Sequence, residues 1–191
     1  MALKLNVIIC STRPGRAGPP IATWFADAAR ENGKFEVELV DLADFKLPVF
    51  DEPKHPRLKQ YEHAHTKRWS ESVEAGDAYV FVSPEYDYFT PPSLVNAMVY
   101  LSSEWGYKPA GLVTYGGISG GLRAAQSTRL LLSSLNMMPI QQGVPIPMFT
   151  QYVGDDGVFR PSEPIAAGAS LMLNELYRWA EALKPMRAPK A

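Results

Sequence analysis

Hydroxyls and guanidiniums gather in one short stretch, Cys10-Ser-Thr-Arg-Pro-Gly-Arg, directly after an apolar run that begins at Leu3. Ser11 and Thr12 offer hydroxyl donors and Arg13 and Arg16 offer forked cations. Set at a helix N-terminus with its unpaired backbone N–H groups, they suit a phosphate dianion. Pro14 and Gly15 cannot prolong a strand, so the chain must turn among these donors. Taken alone, the same residues also serve as ordinary helix caps and solvated loop cations. The chain has neither Gly-x-x-x-x-Gly-Lys-Ser/Thr nor Gly-x-Gly-x-x-Gly here. A triphosphate or a dinucleotide pyrophosphate wants one of those patterns, whereas a single terminal phosphate needs neither.

Two further loops follow apolar runs in the same way. Pro84, Glu85, Tyr86 and Asp87 place backbone amides, a carboxylate and a phenol on a segment stiffened by proline. Tyr115, Gly116 and Gly117 let the backbone approach a planar ring closely, because glycine has no side chain. Each of these loops is by itself a good turn; their recurrence after three strands is what points to one heterocyclic ligand with a phosphate at one end. Cys10 closes an apolar run, where a buried thiol is inert, so it makes a poor nucleophile. His63 and His65 form a His-x-His pair, but no Cys, Asp or Glu stands at ligand spacing. Solvated side chains are expected there and beside them at His55, and no metal site.

The elements that position these loops read clearly from periodicity. Leu3 to Ile9 is a strand, and Ile21, Trp24, Phe25 and Ala28 recur at helical spacing until Asn32-Gly33. Phe35 to Asp41 alternates as a second strand, and the Asp- and Pro-rich stretch from Leu42 to Pro56 is a connection. A polar helix is compatible with Lys59 to Ala75, and Ala78 to Val82 is a buried central strand. A helix is expected from about Ser93 to Trp105, a strand over Pro109–Tyr115, and a helix over Leu122–Leu135. Met138 to Ile146, with Gln141, Gln142 and flanking prolines, reads as an edge strand. The last helix runs from Ile165 to Leu183 with Leu171, Leu173, Leu176 and Trp179 towards the core, and the tail from Lys184 is expected to fray. Five alternations of strand and helix predict an α/β fold with a parallel sheet covered on both faces. In such sheets ligands bind beyond the carboxyl ends of the strands.

At 191 residues the chain suits a single domain. Its net charge of −1 gives no basic surface for nucleic acid and no polybasic segment for an anionic membrane. The single cysteine cannot close an internal disulfide, and the opening residues lack the long apolar region of a signal peptide. A cytoplasmic protein is expected, without a membrane span.

Over nearly its whole length the chain resembles the NAD(P)H-dependent FMN reductases of the flavodoxin-like superfamily. The stretch Cys10 to Arg16 resembles that family's Gly-Ser-x-Arg phosphate loop. Ser83 to Asp87 resembles its Pro-Glu-Tyr-Asn flavin loop, Pro91 to Leu101 the Pro-x-x-Leu-Lys-Asn-Ala helix that follows, and Tyr115 to Gly117 its third contact segment. The resemblance implies a flavodoxin-like three-layer sandwich, one domain over residues 1–191, with a five-stranded parallel sheet in the order 2-1-3-4-5. It implies noncovalent FMN with Ser11, Thr12, Arg13 and, more weakly, Arg16 at the phosphate. Pro84, Glu85, Tyr86 and Asp87 would lie along the isoalloxazine ring, and Tyr115, Gly116 and Gly117 beneath its far end. NADPH or NADH would be the transient electron donor and a quinone, free flavin, azo compound or metal oxyanion the acceptor. The chemistry would rest on FMN, with no catalytic side chain. A flavodoxin-like one-electron carrier is the alternative, although such carriers are commonly strongly acidic. A homodimer or a dimer of dimers is expected, with Tyr88, Phe89, Trp105 and Tyr107 as interface rings. Cys10 for Gly, Asp87 for Asn, Pro92 for Gly, and Val95 and Val99 for Lys and Asp are departures from the family pattern.

Overall fold

The structure is a computed structural model that describes residues 2–187. Five strands, β1 (Leu3–Ile9), β2 (Phe35–Asp41), β3 (Ala78–Pro84), β4 (Pro109–Tyr115) and β5 (Met138–Ile146), pair in parallel in the order β2-β1-β3-β4-β5. The helices are α1 (Gly18–Asn32), a short α2 (Leu42–Phe45), α3 (Ala64–Ala75), α4 (Pro92–Val99), α5 (Leu122–Ser134) and α6 (Glu163–Leu183). Every residue of β3 and β4 is buried, as the continuous apolar runs require of strands covered on both faces. On one face Ile21, Phe25, Leu173 and Leu176 of α1 and α6 pack on Val7, Val80 and Val113. On the other, Trp69, Leu94, Met98 and Leu132 of α3, α4 and α5 pack on Ile8, Phe81 and Leu112. These are the three layers and strand order expected, so the carboxyl ends of β1, β3 and β4 lie side by side.

The local exceptions have physical causes. The connection after β2 contains α2, because the Asp41 carboxylate accepts the backbone N–H of Ala43 at 3.0 Å and caps a turn. α3 starts later than expected, at Ala64, where the Glu52 carboxylate takes the N–H groups of Glu62 and His63 at 2.9 and 3.1 Å. α4 stops at Val99 and a separate 3-10 turn covers Ser103–Trp105. The break is held by Glu104, whose buried carboxylate accepts from Ser102 N–H, Tyr61 hydroxyl and Ser70 hydroxyl at 3.1, 2.7 and 2.8 Å. Trp105 is fully buried between Tyr79 and Trp69, so it belongs to the core and not to an interface. Leu171 is 66% exposed, whereas Ala169, Met172, Leu173 and Leu176 are buried. Two residues on from Ala169 is about 200° around a helix, which carries Leu171 to the opposite side. The residues Lys184–Arg187 do not fray: they form a 3-10 turn, and Arg187 donates to Asp77 at 2.7 Å. The rest of the expected tail, 188–191, lies outside the described residues.

Candidate functional site

The first loop leaves β1 through Cys10, whose N–H still donates to Val82 carbonyl at 3.0 Å, and turns at Pro14-Gly15. Arg16 N–H donates to Arg13 carbonyl at 3.2 Å, and Gly15 takes a φ of 71°, the left-handed position that glycine fills without strain. Among the described residues no protein acceptor takes the N–H groups of Ser11, Thr12, Arg13 or Gly15. Ser11 is fully buried, so its amide waits on a partner from outside the chain. The expected helix mouth is only half present. α1 opens on Gly18-Pro19-Pro20, and the two prolines remove N–H donors that an ordinary N-terminus would present. Donation to an anion therefore falls to the loop itself, with Thr12 and Arg13 exposed at its tip.

Arg16 is placed differently from Arg13. Its guanidinium grips Asp41 at the end of β2 in a fork, 2.7 and 2.5 Å, and also donates to Ser11 carbonyl at 2.5 Å. It braces the loop from behind. Tyr115 is tied to the first loop. Its buried hydroxyl meets Ser11 Oγ at 3.2 Å, its edge packs on Phe149, and burial pushes the phenol's pKa up. This packing depends on Gly18, a residue the sequence reading missed: a Cβ there would stand 2.5 Å from Ser11 Oγ and 3.1 Å from the Tyr115 hydroxyl.

The second loop is a tight hairpin. Tyr86 and Phe89 exchange backbone hydrogen bonds at 3.1 and 2.8 Å, and the two residues between them, Asp87 and Tyr88, have φ of 48° and 68°. Positive φ at both central positions is what a type I′ turn demands, and Asp and Asn tolerate it better than most residues. Asp87 is exposed at the tip. Glu85 points the other way: its carboxylate accepts from Ser119 hydroxyl at 2.9 Å, from Arg123 Nε at 2.8 Å, and from the N–H groups of Arg123 and Ala124 at 3.0 and 3.3 Å. Burial acts to raise its pKa, but Arg123, Ser119 and the helix amides outweigh burial and hold it below the ordinary value. Arg123 also lies over the Tyr88 ring, 3.7 Å from its centroid. At the loop's other end Thr90 joins Ser127 and Thr128 through hydroxyl contacts of 2.6 and 2.8 Å.

The third loop follows β4. A Cβ on Gly117 would meet nothing within 4 Å, so the backbone there faces open space, whereas one on Gly121 would stand 2.7 Å from Thr114 Cβ. Pro84 is buried at the end of β3, level with Tyr115 in the sheet register. The three loops thus stand together at the carboxyl ends of β1, β3 and β4, joined by the contacts of Ser11 with Tyr115 and of Glu85 with Ser119. Beside them, an open cavity of about 820 Å³ runs from Thr12 and Phe89 along α4 to Phe50 and Val99. The thiol of Cys10 is buried, and burial raises its pKa, which leaves it inert. Folding brings Asp51 to the histidine pair: Asp51 Oδ1 lies 3.2 Å from His65 Nε2, and Oδ2 lies 3.9 Å from His63 Nε2. Among the described residues no group of three or more potential ligands has metal-binding geometry.

The family described as NADPH-dependent FMN reductase matches residues 3–151, and the chain belongs to it. An NAD(P)H-dependent FMN reductase of Nectria sp is 32% identical over 162 residues, covering 82% of this chain and 79% of that protein. One from Schizosaccharomyces pombe is 40% identical over 125 residues, 64% of this chain and 62% of the relative's own length. Among solved structures, the flavoenzyme NAD(P)H:(acceptor) oxidoreductase FerB of Paracoccus denitrificans superposes with a TM-score of 0.75 at 19% identity, covering 95% of this chain and 98% of that one. The family is one of oxidoreductases whose cofactor is FMN and whose electron donor is NAD(P)H. The residues present fit that cofactor. The partnerless amides of Ser11, Thr12, Arg13 and Gly15 suit its phosphate, and the bare backbone at Gly117 leaves room for a flat ring.

Proposed function

We infer that this chain is itself an FMN-dependent reductase that takes hydride from NADPH or NADH and passes the electrons to a small acceptor: a quinone, free flavin, azo compound or metal oxyanion. FMN, when bound, supplies the ring that accepts and releases hydride, and the chain supplies binding, orientation and an open face. Ser11, Thr12 and Arg13 hold the phosphate. Arg16 acts through the loop: locked on Asp41, it keeps the Ser11 carbonyl turned away and the amides turned out. Pro84 to Asp87 edge the ring, with Glu85 fixing that hairpin on α5, and Gly116 and Gly117 form the floor. Apolar walls along α4 leave a slot of low polarity for a nicotinamide and then an acceptor to enter in turn. The observation that carries this reading is the junction of the loops: Ser11 on Tyr115 and Glu85 on Ser119 join three strand ends into one site.

The reading extends to a homodimer, or a dimer of dimers, formed around the exposed rings of Tyr88 and Phe89 and the exposed Ile118 close by. Of the other two rings expected there, Trp105 lies in the core and Tyr107 on a different cavity. A single buried cysteine suits a reducing, cytoplasmic setting. The test is the anaerobic absorbance spectrum of the purified protein. A yellow protein whose flavin band is bleached by NADPH or NADH, with ping-pong turnover on a quinone, supports the reading. Flavin that neither nicotinamide bleaches would assign the chain to the one-electron carriers instead.

A further inference from the structure

Ser11 and Tyr115 stand 104 residues apart in the chain and meet at the carboxyl ends of β1 and β4 through one hydrogen bond, from the Tyr115 hydroxyl to Ser11 Oγ at 3.2 Å. Both are buried, Ser11 completely and Tyr115 to all but 3% of its surface. The direction of the bond follows from what each hydroxyl has left. Among the described residues Ser11 Oγ is the one polar partner of the Tyr115 hydroxyl. Were Ser11 the donor, the phenol's proton would be buried without an acceptor, a costly state. With Tyr115 as the donor, the proton left over is that of Ser11. It sits on a residue whose own N–H, with those of Thr12, Arg13 and Gly15, also lacks a protein acceptor among the described residues.

A serine hydroxyl by itself either donates or accepts. Tyr115 removes that choice. Burial raises the phenol's pKa, so it stays a neutral donor. Phe149 packs edge-on against its ring, with centroids 5.2 Å apart, and a Cβ on Gly18 would crowd both oxygens, which holds the pair in place. The Ser11 carbonyl is taken in turn, by Arg16 Nη1 at 2.5 Å. Both oxygens of Ser11 thus already accept, and both of its polar hydrogens are unclaimed among the described residues. A site of unclaimed donors suits a group that only accepts. A phosphate is such a group as the dianion and ceases to be one when protonated.

We propose that Tyr115 is a positioning residue for the cofactor's phosphate: by donating to Ser11 Oγ it commits the Ser11 proton to the phosphate and makes the loop select the dianion over the monoanion. The inference rests on the reading above that Ser11, Thr12 and Arg13 hold the FMN phosphate. Besides Arg13 on the loop itself, the titratable groups whose charge reaches the pair or its brace are Arg16, Asp41, Asp44, Cys10 and Tyr86. No histidine is among them. A transition near neutrality is then the phosphate's own, whose second pKa is about 6 in free solution.

The test is fluorescence titration of the full chain, stripped of flavin, with FMN and with riboflavin, beside phosphorus NMR of the FMN-loaded protein against pH. Tyr115→Phe keeps the ring and deletes one hydroxyl. It should weaken FMN by about three- to tenfold, the scale of one neutral hydrogen bond, and leave riboflavin unchanged. In a Ser11→Ala background the same substitution should cause no further loss, because Tyr115 acts through Ser11. The bound phosphate should take up its proton well below its free-solution pKa in the wild type. In Tyr115→Phe that midpoint should rise, because Ser11 Oγ is then free to accept from the protonated phosphate. A residue that merely packed would weaken both flavins together and leave the midpoint where it was. Melting temperatures show that the variants are folded. FMN affinity unchanged in Tyr115→Phe, an equal loss of riboflavin, a loss that adds to that of Ser11→Ala, or an unmoved midpoint overturns the proposal. The two readings fail separately. A wild type that binds riboflavin as tightly as FMN removes the phosphate from this loop. A wild type that prefers FMN, with the preference intact in Tyr115→Phe, removes only the part given to Tyr115. Bleaching by NADPH or NADH, the test of the reductase, depends on neither.

Discussion

Gly18 has no side chain because a Cβ would stand within 2.5 Å of Ser11 Oγ. Gly18→Ala should therefore displace the Ser11 hydroxyl and weaken FMN by about tenfold or more, a loss on the scale of one charge-assisted hydrogen bond, while riboflavin, which lacks the phosphate, is weakened far less. Flavin fluorescence titration separates the two. Arg13→Ala should cost FMN about one to two orders of magnitude, again sparing riboflavin, because Arg13 stands exposed at the loop tip. Equal losses for both flavins would refute the assignment of this loop to phosphate. At Asp87 the positive φ explains why Asp stands where the family pattern has Asn, so Asp87→Asn should preserve the turn and report charge alone. A raised two-electron potential is the expected result in spectroelectrochemistry. Much of this was legible from residue types: Ser11, Arg13 and the glycines announce themselves. The roles of Gly18 and Tyr115 were not, because each depends on a neighbour distant along the chain. Arg16 looked like Arg13 until folding brought Asp41 to it.

The hairpin 84–90 is clamped on α5 at both ends, by Glu85 and by Thr90. Glu85→Ala would leave Arg123, Ser119 and two helix amides without their acceptor, at a cost of about 1–3 kcal/mol, and should loosen flavin binding along with stability. The pH dependence follows from the sign of its shift. The folded pKa lies below the unfolded value of 4.5, so the clamp's contribution is complete above pH 4.5 and is lost as pH falls through the folded value. Flavin release in acid should accordingly begin below about pH 4.5 and be blunted in Glu85→Gln, as measured by fluorescence of the freed flavin. The strand pattern was legible because continuous apolar runs mark buried parallel strands. Helix ends were less so. The stop at Val99 depends on Glu104 capturing groups from Tyr61 and Ser70, and the delayed start of α3 depends on Glu52; neither partner is local.

At the amino end of the sheet, Lys108 is 6% exposed and its ammonium donates to Val73 carbonyl, Glu74 carbonyl and Tyr79 hydroxyl at 3.0, 3.1 and 3.1 Å. Burial pushes its pKa down to about 8. The unfolded chain thus binds a proton above pH 8 that the folded chain has given up, and stability rises from pH 8 towards pH 10, by on the order of 3 kcal/mol. Above pH 10 the sign reverses, because burial raises the phenols of Tyr61, Tyr79, Tyr100 and Tyr115 and the folded chain keeps protons that the unfolded chain loses. Denaturant midpoints against pH should climb past 8 and turn over above 10, and Lys108→Met should remove the climb. Light scattering at micromolar concentration should return a dimer or tetramer mass. How such copies would meet is constrained by the two outer strands. β5 carries Pro139 and Pro145, which have no N–H, and Arg129 occupies the carbonyls of Ile140 and Gln141 at 2.5 and 3.1 Å. β2 presents the exposed charges of Glu36 and Glu38. Neither border can readily accept another strand, so a dimer of this chain would form through helices and loop rims and not by prolonging one ribbon from chain to chain. The same blunted borders leave the apoprotein without a template for fibril growth, and stripping the flavin should yield a soluble protein and no cross-β aggregate.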